Sequence, residues 1–427
     1  MGNKVKTSDN GIKLMKNVNN HSFSVYITAM VVSFLMFMAV CCHYGDGYNR
    51  FTFFKLGEDV FMDFFNSVRD ATQGLECYTE RRVIYPPLAN LYYLLCSRFM
   101  TDAFCNSGFH ERLGFFDVRA NILPYFVSTV VSAVVFVYVI SRATKRKSFG
   151  GLLMAVFFIF NVSMLRLFER GNILILALIF TSVFLLYRDS DDKVIRELSY
   201  ISLALAAGIK LYPALFGILL LFDKKFKDAI RTCIYGILAF ALPFAFYDGM
   251  DGFKAWLDNL KLFSSMKSGG VEIEGSTSLD TIFYIFKHFG IDVHVPSFVS
   301  TLMVVLPILL LIFYAFLTDI QWKKVLAITV AMILCPGAGQ SYTMVFFLIP
   351  LLLMMEAKEI KIIDYAYFII ITCEFLYYPF PFILKYEVYP VNSGMTFFVV
   401  LGILVVTIVE TVCLIKERFS RKKCVEK

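Results

Sequence analysis

Charge is scarce in this chain: 18% of its 427 residues are charged while 58% are hydrophobic, and the mean hydropathy is +0.67. A soluble domain carries about 25% charged residues, so this composition excludes an ordinary globular protein. The ten cysteines form no CxxC pair and mostly lie in apolar stretches, where a thiol packs as a small hydrophobe; metal binding through cysteine is thereby excluded. Only Cys77 and Cys105 share a polar loop in which a disulfide is conceivable. The five histidines, at 21, 43, 110, 288 and 294, have no ligand spacing. There is no repeat of fixed period, no low-complexity tract, and no visible inverted-repeat symmetry of the transporter kind. The formal net charge of +7 does not point to nucleic acid, because Lys and Arg sit in short runs between apolar segments and form no aromatic-interleaved basic face.

What remains is lipid. Apolar runs long enough to cross a bilayer recur over 23–43, 121–141, 149–167, 171–187, 198–222, 232–247, 297–317, 325–356 as a broken pair, 364–382 and 395–415. This pattern predicts an all-α polytopic membrane protein of about 10 to 12 transmembrane helices. Residues 1–22 read as a cytoplasmic tail, 23–415 as one membrane domain and 416–427 as a basic cytoplasmic tail. The stretch 23–43 is too long for a signal-peptide core and lacks a cleavage site, so it should stay as an anchor. The cationic runs Lys145-Arg146-Lys147, Lys224-Lys225-Phe226-Lys227, Lys323-Lys324 and Arg421-Lys422-Lys423 should face the cytoplasm with the N-terminus. That orientation places residues 44–120 and 248–296 outside, with Leu88 to Met100 too short for an easy crossing and expected at the interface. A break in 198–222 is expected at Lys210-Leu211-Tyr212-Pro213, since proline interrupts a helix there.

Polar residues that such a chain retains near its spans are the candidates for chemistry. Asp59 and Asp63 follow the first span among aromatics, where a carboxylate can accept a proton from a hydroxyl; the alternative is a solvated loop charge. In Arg81-Arg82-Val83-Ile84-Tyr85-Pro86-Pro87-Leu88 the arginines suit an interfacial anchor, whereas Tyr85 and Pro86 suit the shaping of a groove. Arg166, Glu169, Arg170 and Asn172 cluster where two spans meet. An Arg or Lys near the centre of a membrane helix costs about 2.5 to 3.5 kcal/mol, so something must compensate. Arg166 and Arg170 are four apart and share a helical face that could meet one phosphate, unless either simply pairs with Glu169. Lys210 has no acid nearby in sequence, which favours a functional role. Cys335-Pro336-Gly337-Ala338-Gly339-Gln340-Ser341-Tyr342 breaks a helix at membrane depth, so Gln340 and Tyr342 are expected to line a cavity. Asp189-Ser190-Asp191-Asp192 contains a DxD, but among Lys and Arg in a cytoplasmic loop it reads as a solvated charge run rather than a metal site.

The order of these features resembles polytopic GT-C glycosyltransferases, in particular glycosyltransferase family 87, which depends on polyprenol-phosphate-mannose. The resemblance rests on Asp63-Phe64 followed by Ala71, Gly74 and Tyr78, on Tyr85-Pro86-Pro87-Leu88, on Arg170-Gly171-Asn172, and on Ile209-Lys210-Leu211-Tyr212-Pro213-Ala214-Leu215. It implies a GT-C bundle in the plasma membrane, the inner membrane of a bacterium. The implied partners are a polyprenyl-phosphate-linked sugar donor, a glycan or glycolipid acceptor and the bilayer, with no cofactor, no metal and no nucleic acid. It implies the catalytic acid in the first outer loop, as Asp63 with Asp59 behind it, Arg170 and Lys210 at the donor phosphate, and Tyr85, Pro86, Asn172 and Tyr212 in the substrate groove; spacing adds Arg166 to the phosphate set, and the helix break adds Gln340 and Tyr342 to the groove. Gly339-Gln340-Ser341-Tyr342-Thr343 departs from the family by lacking its Trp and His, which leaves the acceptor open. The alternatives are a flippase for a lipid-linked glycan and a glycan polymerase or ligase using a lipid diphosphate.

Overall fold

The computed structural model describes residues 9–44, 61–106, 119–146, 148–268, 296–335, 341–378 and 388–425, with a few isolated positions between 279 and 293. Asp59 and Gln340 lie outside the described residues. Among the described residues regular structure is entirely helical, and each predicted span includes at least one helix.

The chain opens with α1 (Asp9–Tyr44). Four short helices follow: α2 (Met62–Ala71), α3 (Glu76–Thr79), α4 (Pro87–Ser97) and α5 (Asp102–Cys105). Pro86 is extended and Pro87 occupies the first turn, where its missing N–H costs nothing, so α4 starts there. At 11 residues α4 rises only about 16 Å, half the thickness of a hydrocarbon core, and cannot cross alone. Cys77 and Cys105, the conceivable disulfide pair, are both free thiols, and the Cys77 sulfur instead accepts from Asn90 Nδ2 at 3.3 Å.

The apolar bundle begins with α6 (Arg119–Ala143), α7 (Ser148–Ile159) and α8 (Val162–Arg170). α7 and α8 bend by 56° at Asn161, whose side chain caps the amide of Met164. α9 (Leu174–Tyr187) and α10 (Lys193–Ile209) follow, joined through Asp192, which accepts from the amides of Val194 and Ile195. Of the DxD itself, Asp189 is spent on an ion pair with Lys225, and the helix cap is the Asp192 that follows it. α10 stops at Lys210, which is extended, and a 3-10 helix from Tyr212 to Gly217 leads into α11 (Ile218–Phe222), so the break falls where Pro213 requires it.

α12 (Phe226–Ala241) runs through a 3-10 turn, Leu242–Phe246, to α13 (Met250–Ser268). The rest comprises α14 (Ser297–Leu317), α15 (Gln321–Leu334), a 3-10 helix from Ser341 to Phe347, α16 (Leu348–Met355), α17 (Ile362–Phe375) and α18 (Val388–Val425). Among the described residues five segments are long and apolar enough to cross a membrane unaided: Ser22–Ala39, Asn121–Ala143, Phe226–Phe246, Phe298–Leu317 and Met395–Ser420; the bent pair α7–α8 makes a sixth. α15 and α16 are buried on nearly every side and form the centre of the bundle.

The basic pair Lys323-Lys324 is not a solvated run. Lys323 is 2% exposed and its ammonium lies 2.5 Å from both Asp364 Oδ1 and Glu410 Oε1. Lys324 turns to Asp223 at 3.1 Å, which also receives Arg188 at 3.5 Å. Removing one partner of a buried cluster strands the others, at about 3–5 kcal/mol. Lys323→Met should therefore lower the thermal unfolding midpoint of the purified protein sharply, while Lys227→Met, at an exposed position, leaves it within a degree or two. Equal midpoints for the two variants would show that the cluster contributes nothing to stability.

Candidate functional site

Residues 61–63, 85, 170–172 and 210 meet at one end of the bundle, and the geometry begins with the turn after α8. Gly171 caps that helix with φ +70, a left-handed conformation that glycine adopts without strain. A Cβ at this position would lie 3.0 Å from Phe64 Cβ and 3.1 Å from the Phe61 carbonyl oxygen, so only glycine lets the start of α2 come this close. Phe61 itself is left-handed, with φ 60, a conformation that costs about 1–3 kcal/mol outside glycine. It is held there by its amide, which donates to the Glu169 carbonyl at 2.6 Å, and by its ring, 4.5 Å from that of Tyr125. The Tyr125 hydroxyl in turn donates to the Phe168 carbonyl and ties the last turn of α8 to α6.

This double turn sets Asp63 between the two residues that flank Gly171. Arg170 Nε donates to Asp63 Oδ1 at 2.8 Å and Asn172 Nδ2 to Asp63 Oδ2 at 2.7 Å. Arg170 therefore meets Asp63 rather than only its neighbour Glu169. The amide of Asn172 also donates to Tyr85 Oη at 3.1 Å, while its Oδ1 accepts from the Leu174 amide, which fixes the orientation of the side chain. Lys210 closes the group: its ammonium sits 3.9 Å from the centroid of the Tyr85 ring, within cation–π range. Burial pushes the Tyr85 phenol well above its ordinary value, with smaller contributions from Tyr93, Asp63, Tyr342 and Tyr212, so it stays neutral at any working pH. Tyr212 and Tyr342 thus lie in the electrostatic neighbourhood of the same phenol, and Pro86 is the buried residue at the head of α4. The carboxylate is partly open, with Asp63 16% and Arg170 26% exposed at the side chain.

Of the sequence candidates, Asp63, Arg170, Asn172, Tyr85 and Lys210 are brought together. Arg166, at 3% exposure, is placed elsewhere: it is an electrostatic neighbour of Glu374, a buried acid on α17 that also receives Ser163 Oγ at 3.0 Å. Although Arg166 and Arg170 share α8, they serve different carboxylates. Glu374 was legible by the rule that singled out Lys210, being an ionisable residue inside a predicted span. Arg81 and Arg82 are exposed, as anchors would be. Among the described residues no group of three His, Cys, Asp or Glu side chains is disposed to hold a metal ion.

Gly171→Ala should separate Asp63 from Arg170 and Asn172 with little change to the bundle. The expected outcome is a loss of activity of about tenfold or more at a nearly unchanged unfolding midpoint, and full activity in that variant would remove the turn from the site's construction.

No curated protein matches this sequence. The family model described as Glycosyltransferase family 87 matches residues 84–337, a stretch that contains Tyr85, Arg170, Asn172 and Lys210, with Asp63 just upstream of it. That match spans more than half of the chain and shows that the protein belongs to glycosyltransferase family 87 and is a membrane glycosyltransferase.

Proposed function

We propose that this enzyme transfers a hexose, mannose by family precedent, from a polyprenyl-phosphate-linked donor to a glycan or glycolipid acceptor on the outer face, with inversion at the anomeric carbon. The observation that carries this reading is one carboxylate, Asp63, set beside a guanidinium, an amide and, across the Tyr85 ring, an ammonium. Each Asp63 oxygen has a second lone pair beyond the bond it accepts, and in this reading one of these takes the proton of the acceptor hydroxyl. The hydroxyl oxygen then forms the new bond to the anomeric carbon as the bond from that carbon to the phosphate oxygen breaks. Polyprenyl phosphate leaves with one more negative charge than the phosphodiester had. Arg170 and Lys210 are the cations at hand to stabilise that charge, since donors already in place at a developing negative charge need no reorganisation when it forms. Arg166, an electrostatic neighbour of Glu374, has no part in this scheme. Tyr212 and Tyr342, electrostatic neighbours of Tyr85, would contact the sugar or the acceptor.

Membranes containing the protein, incubated with labelled polyprenyl-phosphate mannose, should yield labelled acceptor. Movement of label across the bilayer without bond formation would identify a flippase, and transfer only from a lipid diphosphate would identify a polymerase or ligase. Asp63→Asn keeps the shape but cannot take up the proton, so turnover should fall by about two to four orders of magnitude while donor binding changes little. Losses under threefold would exclude Asp63 as the base. Lys210→Met should lower kcat/KM for the lipid donor by about tenfold to a hundredfold, the scale of one charge-assisted hydrogen bond. A well-expressed Lys210→Met protein with normal kcat/KM would remove Lys210 from the phosphate.

A further inference from the structure

Tyr85 joins Asn172 to Lys210, yet it stands on a non-helical run between α3 and α4, so something must fix its backbone. The structure gives that run an unusual mount. Three consecutive carbonyls each accept a hydrogen bond from a side chain: Val83 from Asn259 Nδ2 at 3.2 Å, Ile84 from Trp256 Nε1 at 3.1 Å and Tyr85 from Tyr78 Oη at 3.2 Å. Asn259 Nδ2 also reaches the Tyr78 carbonyl at 2.7 Å, and the Tyr78 hydroxyl accepts from Asn90 Nδ2 at 2.9 Å. Asn259 and Trp256 both project from α13, in the second long segment expected outside, and are buried to 7% and 4% exposure.

The aromatic packing explains why these donors hold still. Tyr78, Phe244, Tyr247 and Trp256 form a hydrophobic core of their own, apart from the main one, with the Trp256 ring 5.1 Å from that of Phe240 and stacked on that of Phe253. A rigid indole aims its single N–H at one carbonyl, and Asn259, three residues on, lies on the same face of α13. Past Tyr85 the chain enters Pro86-Pro87 and then α4, so the residue is clamped from both sides.

We propose that Trp256 and Asn259 of α13 are positioning residues that set the Tyr85 ring over Lys210 and its hydroxyl against Asn172. They act through backbone carbonyls and touch neither substrate. Their consequence for sugar transfer rests on the function proposed above, whereas the placement of Tyr85 does not.

Two measurements on the purified protein separate these. Trp256→Phe keeps a smaller ring in the aromatic core and removes the indole N–H; Asn259→Ala removes both bonds of the amide. With Tyr85 no longer fixed over it, the Lys210 ammonium should become several-fold more reactive toward an acylating reagent, read by mass spectrometry against the exposed Lys254 and Lys261 as internal standards. Tyr85→Ala should raise it too, and Asn259→Ala should add nothing in the Tyr85→Ala background. In the transfer assay with polyprenyl-phosphate mannose, kcat/KM should fall about tenfold in each single variant and no further in the double. Unchanged Lys210 acylation in both Trp256→Phe and Asn259→Ala would overturn the positioning role, as would additive losses with Tyr85→Ala. Absence of transfer by the unmodified protein, with the acylation changes present, would instead overturn the function and leave the positioning intact.

Discussion

A charge inside a bundle surrounded by lipid has no water to fall back on, so it must meet its opposite within the protein. Here the opposites come from far along the chain. Arg170 on α8 meets Asp63 on α2, Lys323 on α15 meets Asp364 on α17 and Glu410 on α18, Lys324 meets Asp223 at the end of α11, and Arg146 meets Glu356. Each pair therefore fixes which helices are neighbours. A misplaced helix would leave an uncompensated ion in a medium that penalises it by several kcal/mol. The fold and the site share this logic at Asp63, where the pair that fastens α2 to α8 also delivers a carboxylate to an open edge of the bundle.

That sharing explains the strained backbone beside it. Nothing in helix packing alone requires Phe61 to adopt φ 60. The left-handed turn there and the glycine turn at 171 interlock, and together they allow two flanking residues, Arg170 and Asn172, to reach both oxygens of one carboxylate. Strain of this kind persists only where the surroundings over-determine it, as the bonds to Glu169 and the contact with Tyr125 do.

The helices were legible in the sequence because their signal is local: an apolar run of sufficient length needs no partner to be recognised, and Pro213 marks its own break. Five members of the candidate site were legible for the same reason, since Asp63, Tyr85, Arg170, Asn172 and Lys210 are polar groups retained beside apolar runs. What could not be read was pairing. Arg166 and Arg170 are four apart, and local spacing joins them, but α8 turns one toward Glu374 and the other toward Asp63. Lys323-Lys324 looked like a cytoplasmic charge run because a doublet of lysines gives no sign that both will be buried against acids on other helices. The contribution of Trp256 and Asn259 was equally hidden, because their partners are main-chain carbonyls, which every residue carries and no sequence pattern distinguishes.

The lateral faces of the bundle leave little room for chemistry. α12 presents Ile230, Ile234 and Ile237 outward, and α14 presents Leu302, Leu306, Leu309 and Phe313, surfaces that suit acyl chains and cannot hold a polar substrate. Polar side chains are left to the places where helices stop. Irregular backbone at such depth is tolerated only where it is buried in protein or lines a cavity, since lipid offers its amides and carbonyls nothing. Three stops converge here: the glycine turn after α8, the extended Lys210 after α10, and the Tyr85-Pro86 entry to α4. Each frees backbone from a helix, and each supplies side chains to the same group. At the last of these the carbonyls of Val83, Ile84 and Tyr85 are each claimed by a side chain, and a residue that bridges an amide to an ammonium needs that fixity. Two of those carbonyls are reached from α13, whose Trp256 and Asn259 aim their N–H groups at the run between α3 and α4.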